Sequence, residues 1–225
     1  MAPSFQRARQ PEQKEQRRAH LMATARELLA SGVSLRVLSL NELARRSDMA
    51  KANVYRYFET REALLLAMLW EEWQRWFEEL RAEWPVEERG SVSLDAVVSR
   101  LARALAREAL LCELTAALPT VLEQNLGESA IRDFKHATLT FFGAIARFLS
   151  ERSPVLSEVA YAELLHDAAH LIMGLYPALH PAPSVAQALQ EPALRFFRRD
   201  FQVEFERMLG AIAADHAARG AVRTA

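Results

Sequence analysis

The sequence predicts an all-α chain, with a small helix-turn-helix unit at its start and a larger helical domain behind it. Three observations carry this. Apolar residues recur at i, i+3 and i+4 through most of the 225 residues, and no stretch alternates as a strand would. Glycine holds only 7 positions while 51% of residues are apolar, which suits packed helices better than a loop-rich β fold. Ser39 to Phe58, finally, reads as two short helices joined by a tight turn.

Residues 1–11 have little to bury and read as a flexible arm, either an ordinary disordered tail, the reading favoured, or one whose Arg7 and Arg9 brush DNA. A first helix is expected from Glu12 to Ser31, with Ala19, Met22, Ala25, Leu28 and Leu29 on one side and Gly32 as its stop. Arg17 and Arg18, early in it, either touch a phosphate or solubilise the exposed face. Val33, Leu35, Val37 and Leu38 fill the connection that follows. Ser39 and Glu42 then form an S-x-x-E capping box, and Leu40, Leu43 and Ala44 give the next helix its apolar stripe. Ser47-Asp48-Met49 breaks that helix, Asp being one of the few side chains that tolerates a left-handed turn. The second helix of the motif is expected over Ala50 to Phe58, with Val54, Tyr55 and Phe58 on its inner side. In this plan the second helix enters a DNA major groove.

A long helix is expected from Thr60 to Trp84, carrying all four tryptophans (Trp70, Trp73, Trp76 and Trp84) and ended by Pro85. Ser93 to about Leu118 reads as helix broken near Arg107 or at Pro119, followed by a short helix over Pro119–Leu126 that Gly127 stops. Glu128 to Ser150 has the cleanest stripe, through Ile131, Phe134, Thr138, Phe141, Phe142, Ile145 and Phe148. A helix follows from about Ser157 to Leu179, and His180 to Ser184 is a loop between prolines. One last helix, from Pro192 to about Ala218, places Leu194, Phe197, Phe201, Phe205, Met208, Leu209 and Ile212 inward.

The net charge of −1 conceals a division. Residues 1–61 hold twelve basic and six acidic side chains, or +6, so the remainder carries −7. A basic head with an acidic body fits one module that meets phosphate and another that avoids it. The start lacks the apolar core of a signal peptide, and no uncharged apolar run approaches the ~18 residues needed to span a bilayer. The single cysteine, Cys112, rules out an internal disulfide framework and fits a reducing compartment. The expectation is a soluble cytoplasmic protein without a membrane partner. No phosphate-loop, dinucleotide or serine-hydrolase motif occurs, so no catalytic residue and no cofactor is assigned. His166 and His170 stand at i, i+4, a spacing able to bind zinc, but the Glu of H-E-x-x-H is missing and no third ligand is evident. They read as core or pocket histidines, and no metal site is assigned. A helical metal-dependent phosphohydrolase would need a second His motif, and none is visible.

Residues 14–66 resemble the DNA-binding domain of TetR-family (tetracycline-repressor-like) transcriptional regulators. The resemblance rests on Leu28-Leu29-Ala30-Ser31-Gly32-Val33, Ser39-Leu40-Asn41-Glu42-Leu43-Ala44, Asn53-Val54-Tyr55-Arg56-Tyr57-Phe58 and Arg61-Glu62-Ala63-Leu64-Leu65. Asp48 stands where the family usually has Gly, Ala50 where it has a capping Ser or Thr, and Tyr57 where His is common. The resemblance implies a DNA-binding domain over 12–60 and a helical effector-binding and dimerisation domain over 61–225. It implies DNA contacts from Ser39, Asn41, Ala50, Lys51, Ala52, Asn53, Tyr55, Arg56, Tyr57 and Arg61. By position, Trp73, Cys112, Asn125, His136, Thr140, Phe141, His166 and His170 are the candidates for an effector pocket. The partners implied are double-stranded DNA with a palindromic operator, a second copy of the chain paired through the last two long helices, and a small hydrophobic effector. A repressor released by its ligand is the expected behaviour. An activator or a ligand-independent regulator of the same fold is the alternative.

Overall fold

In the computed structural model the described residues are 5–85 and 88–224, with side chains described over 12–85 and 88–220. Every regular element among them is helical. The helices are α1 (Phe5–Ala30), α2 (Leu40–Arg46), α3 (Lys51–Tyr55), α4 (Arg61–Ala82), α5 (Leu94–Ala106), α6 (Ala109–Ala117), α7 (Glu128–Ser150), α8 (Glu158–Leu179), α9 (Pro183–Ala188) and α10 (Phe201–Thr224). Leu118–Leu122 forms a π-helical turn and Pro192–Phe197 a 3₁₀ turn. No helix among the described residues is long and apolar enough to cross a membrane.

The chain forms two compact units that divide inside α4, between Met68 and Leu69; residues 119–126 belong with the first. In the first unit, Leu21, Met22, Ala25 and Leu28 of α1 share a core with Leu38, Leu43, Val54, Phe58, Leu64 and Leu65. Local chemistry sets the joints. Gly32 takes φ +96, and the Val33 N–H returns to the Leu28 carbonyl, which closes α1. Ser39 Oγ accepts from the Glu42 N–H at 3.2 Å, half of the expected box; the Glu42 carboxylate turns to Arg45 and Arg46 instead. Asp48 takes φ +52, the left-handed turn its residue type allows. Thr60 caps α4 by accepting from the Ala63 N–H at 3.0 Å.

In the second unit α8 packs against α6, α7 and α10, and α10 also against α5. Its core includes Trp73, Trp76, Phe77, Leu101, Leu111, Ile145, Leu149, Tyr161, Leu164, Phe205 and Leu209. Arg75 ties α4 to the start of α6, bonding Glu72 at 2.7 Å, Glu79 at 2.9 Å and Glu108 at 2.5 Å.

Several expected boundaries move. Residues 5–11, expected in an arm, are helical; α1 runs through Pro11, whose missing N–H forgoes one helical bond. Residues 1–4 lie outside the described residues. Ala19 is exposed and Leu21 takes the core position, while Val37 points outward at 68% exposure. The second helix of the motif ends at Tyr55, because Arg56 and Tyr57 close on Asn53 and Val54 with tighter i→i−3 bonds. The Ser93–Leu118 stretch breaks at Arg107-Glu108, the first of the two places expected, whereas the short helix expected over Pro119–Leu126 is the π turn. The loop after His180 contains α9. The expected final helix is two elements: the 3₁₀ turn leaves Phe197 exposed, and Asp200 caps a fresh start by accepting from the Val203 N–H at 2.9 Å.

The left-handed turn gives a direct test. Asp48→Val should cost about 1–2 kcal/mol in urea unfolding, because a β-branched side chain is strained at positive φ, while Asp48→Gly stays within about 1 kcal/mol of the parent. Equal loss for both would show that the Asp side chain, rather than the backbone conformation, holds the turn.

Candidate nucleic-acid interface

The interface is built on α3, a helix of five residues that relies on its neighbours. Val54 is fully buried and Phe58, just beyond the helix, is 3% exposed, so the opposite face of the segment must point outward. Lys51, Ala52, Tyr55 and Arg56 are exposed there, and Asn53 and Tyr57 half-buried. Ala50 ends the turn with no side-chain cap, so the first amides of α3 are left open at an exposed helix start. The Lys51 ammonium lies 5.7 Å from the centre of the Tyr55 ring, a cation–π contact.

A groove of about 320 Å³ runs beside α2 and brings Ser39, Asn41, Tyr55 and Arg61 together with Glu59, Thr60 and Glu62. Asn53, Arg56 and Tyr57 share a different groove. The ten residues expected at DNA therefore stand on one unit, and none is buried.

Arg61 is less free than its position suggests. Its guanidinium donates to the Arg36 carbonyl at 2.7 Å and to the Glu62 carboxylate at 2.7 Å. Glu62 is itself 4% exposed and also accepts from the Asn125 amide at 3.3 Å. Burial, the largest single influence, pushes the Glu62 carboxyl up. Its own backbone N–H, Arg61 and Asn125 together outweigh that and hold it below the usual carboxylate range. Sequence reasoning missed Glu62, since a Glu in a first helical turn looks like an ordinary dipole partner. Asn125, one of the effector candidates, lies in the first unit and is bonded to Glu62.

The other effector candidates fall into separate groups. Trp73 is buried, donates to Thr115 Oγ1 at 3.3 Å, and stacks on Phe134 at 5.8 Å and Phe141 at 6.3 Å between ring centres. Cys112 is fully buried, its Sγ bonds the Leu105 carbonyl, and burial followed by the Glu108 charge pushes the thiol up to about 12. His136 and Thr140 are exposed on α7. His166 and His170 are exposed on α8 with rings 4.3 Å apart, His170 Nδ1 bonding the His166 carbonyl at 2.9 Å. Among the described residues no three His, Cys, Asp or Glu side chains gather as a metal site. Two polar groups near Cys112 were not anticipated: Thr115, and Tyr176, whose phenol is raised to about 12 by burial, then by Cys112 and Glu113.

Residues 21–68 match the model of bacterial regulatory proteins of the tetR family, and residues 70–214 that of the C-terminal domain of tetracyclin repressor-like proteins. Similar solved structures share the fold at low identity. A possible TetR family transcriptional regulator from Streptomyces coelicolor A3(2) is 21% identical, with 89% of this chain and 98% of that one covered and a TM-score of 0.59. A putative transcriptional regulator from the same organism is 19% identical, covering 90% and 97% at a TM-score of 0.51. A TetR from Acinetobacter baumannii AYE is 15% identical, covering 87% and 93% at 0.50. No curated protein matches the chain significantly.

The Glu62 network sets a pH dependence. A carboxyl depressed in the folded state contributes stability that is complete above its unfolded pKa of about 4.3 and is lost as pH falls through the lower folded value. Replacing it in Glu62→Gln should therefore cost about 1–3 kcal/mol at pH 7, a gap that closes as urea midpoints are followed down to pH 3. A gap of constant size would show that Glu62 acts through packing alone.

Proposed function

The chain belongs to the TetR family of bacterial regulatory proteins, and we propose that it is a transcriptional repressor that binds a palindromic operator as a homodimer and leaves it when a small hydrophobic effector binds. The observation that carries the DNA side is the outward face of α3. Lys51 and Arg56 stand exposed beside Asn53, Tyr55 and Tyr57, on a segment fixed from behind by Val54 and Phe58. Lys51 suits a phosphate or a guanine edge, Asn53 an adenine edge or the backbone, and the tyrosine hydroxyls suit phosphates. Ser39, Asn41, Ala50, Ala52 and Arg61 border this face and supply backbone-positioning contacts, Arg61 from the bonds that hold it to Glu62 and Arg36.

Pairing through α8 and α10 is supported by apolar side chains left outward on both, Val159 at 68% and Val203 at 61% exposure. A two-fold axis would set the two recognition helices about 34 Å apart, one turn of DNA. The effector would act from the second unit, where Trp73, Phe134 and Phe141 provide apolar surface and Thr115 and Cys112 polar points. Its binding must favour a state with the wrong half-site spacing, since only unequal affinity for two states shifts their populations. A ligand-independent regulator is the second reading. It is favoured by the closed state of this region: Trp73 is 7% exposed and its N–H already has Thr115 as partner.

Selection of duplexes from random DNA by the full chain should enrich an inverted repeat bound by two protomers. Lys51→Ala and Tyr55→Phe should weaken that duplex by about tenfold and about threefold, without lowering the unfolding midpoint. Unchanged affinity in both variants would remove α3 from the interface. A panel of small apolar molecules screened for release of the duplex separates the two readings, since a ligand-independent regulator stays bound throughout.

A further inference from the structure

The cations of the first unit divide by whether the protein has already given them a partner. Arg18 pairs with Glu15 at 3.5 Å and lies 5.4 Å from the centre of the Phe58 ring. Arg45 and Arg46 share Glu42, and Arg61 holds Glu62 and the Arg36 carbonyl. Lys14, Arg17 and Arg56 have no ion pair, side-chain hydrogen bond or ring contact among the described residues. These three stand together. A groove of about 440 Å³ is lined by Gln13, Lys14 and Arg17 on α1 and by Asn53, Arg56 and Tyr57 on the α3 segment, with no carboxylate among them.

The spacing on both walls is helical. Gln13 and Arg17 are four apart and Lys14 and Arg17 three apart, so all share one face of α1. Across from them, Asn53 is three residues from Arg56 and four from Tyr57. Three like charges around one concave surface repel one another and raise the local potential, which a polyanion relieves. The uncharged members are two amides and a phenol, all able to donate hydrogen bonds to phosphate oxygens. Because Asn53, Arg56 and Tyr57 belong to the same short segment as Lys51 and Tyr55, a duplex read by α3 brings its backbone to this groove.

We infer that the groove is a phosphate cradle in which Lys14 and Arg17, with Gln13, clamp the DNA backbone next to the stretch read by α3. This rests on the DNA-binding reading above and extends it to the first helix. Contacts of this kind hold the protein in register and add affinity that is independent of base sequence. The adjacent Arg17 and Arg18 thereby separate in role: Arg17 faces the cradle and Arg18 is committed to Glu15 and Phe58.

The test uses the full chain with two probes, the duplex it selects from random DNA and an unrelated duplex of equal length, titrated over a range of salt. Lys14→Gln and Arg17→Gln should each weaken both probes by the same factor. Each lost phosphate contact should flatten the slope of log K against log salt by about 0.9, hence by about 1.8 per substitution in a symmetric dimer. The double variant should lose tenfold or more on both probes, and Lys14→Arg should restore the slope. Wild-type slopes in both single variants would overturn the cradle. If Lys51→Ala weakens the selected duplex while those slopes stay unchanged, the cradle alone falls. If the unmodified chain enriches and binds no duplex, the cradle falls together with the reading it rests on.

Discussion

A recognition helix of five residues cannot hold itself. Isolated helices need about 12–15 residues before they are even marginally stable in water, so α3 exists only because the rest of its unit imposes it. The imposition comes through two side chains, Val54 and Phe58, which are sunk into the core formed by α1, α2 and the start of α4. A buried pair four residues apart fixes rotation about the helix axis as well as position. Lys51, Asn53, Tyr55 and Arg56 then have no choice of direction. The turn ahead of α3 is fixed as locally, with Asp48 in the left-handed region and the Met49 N–H returning to Ala44. What the unit presents outward follows from what it hides.

The same logic extends to charge. Pairing a surface cation with a carboxylate adds little stability, but it removes that cation as an open donor to a ligand. Glu42 occupies Arg45 and Arg46, and Glu15 pairs with Arg18, and none of these cations lines the groove. Glu62 does something different for Arg61: buried and bonded from three sides, it fixes the guanidinium against the Arg36 carbonyl. The cost is that Arg61 has fewer free hydrogens to offer; the gain is a rigid start to α4. Through Asn125, residues 119–126 share that network, so the segment between α6 and α7 is bonded to the first turn of α4 within one unit.

Several features that depend on near neighbours were legible in the sequence. The Gly32 stop, the Ser39 cap, the left-handed Asp48 and the limits of α7 all follow from residues within a few positions of each other. Periodicity failed where two conformations share it. Val54 to Phe58 fits an α-helix and a tighter turn equally well, and Leu194, Phe197 and Phe201 fit one helix although Asp200 restarts the chain between them. Roles set by distant partners were not legible. Nothing local tells Arg17 from Arg18, because the difference lies in Glu15, Phe58 and the far wall of a groove. Asn125 stands amid helices of the second unit in sequence, yet bonds a carboxylate 63 residues earlier.

The second unit constrains any effector in turn. Trp73 is enclosed by Phe134, Phe141 and Phe142, its N–H is satisfied by Thr115, and Phe77 and Trp84 continue the aromatic packing through Phe148. An apolar molecule entering there gains hydrophobic contact only by displacing contacts of the same kind, so its net gain is a difference of two similar terms. For an effector of the proposed kind that needed an opened form, the apparent affinity would be further reduced by the fraction of protein already open to it, and if that fraction were about 1%, by about a hundredfold. The same requirement would make such a ligand effective. One that binds only the opened arrangement has the largest possible difference in affinity between the two states, and that difference, not tightness, is the quantity that moves a regulator off its DNA.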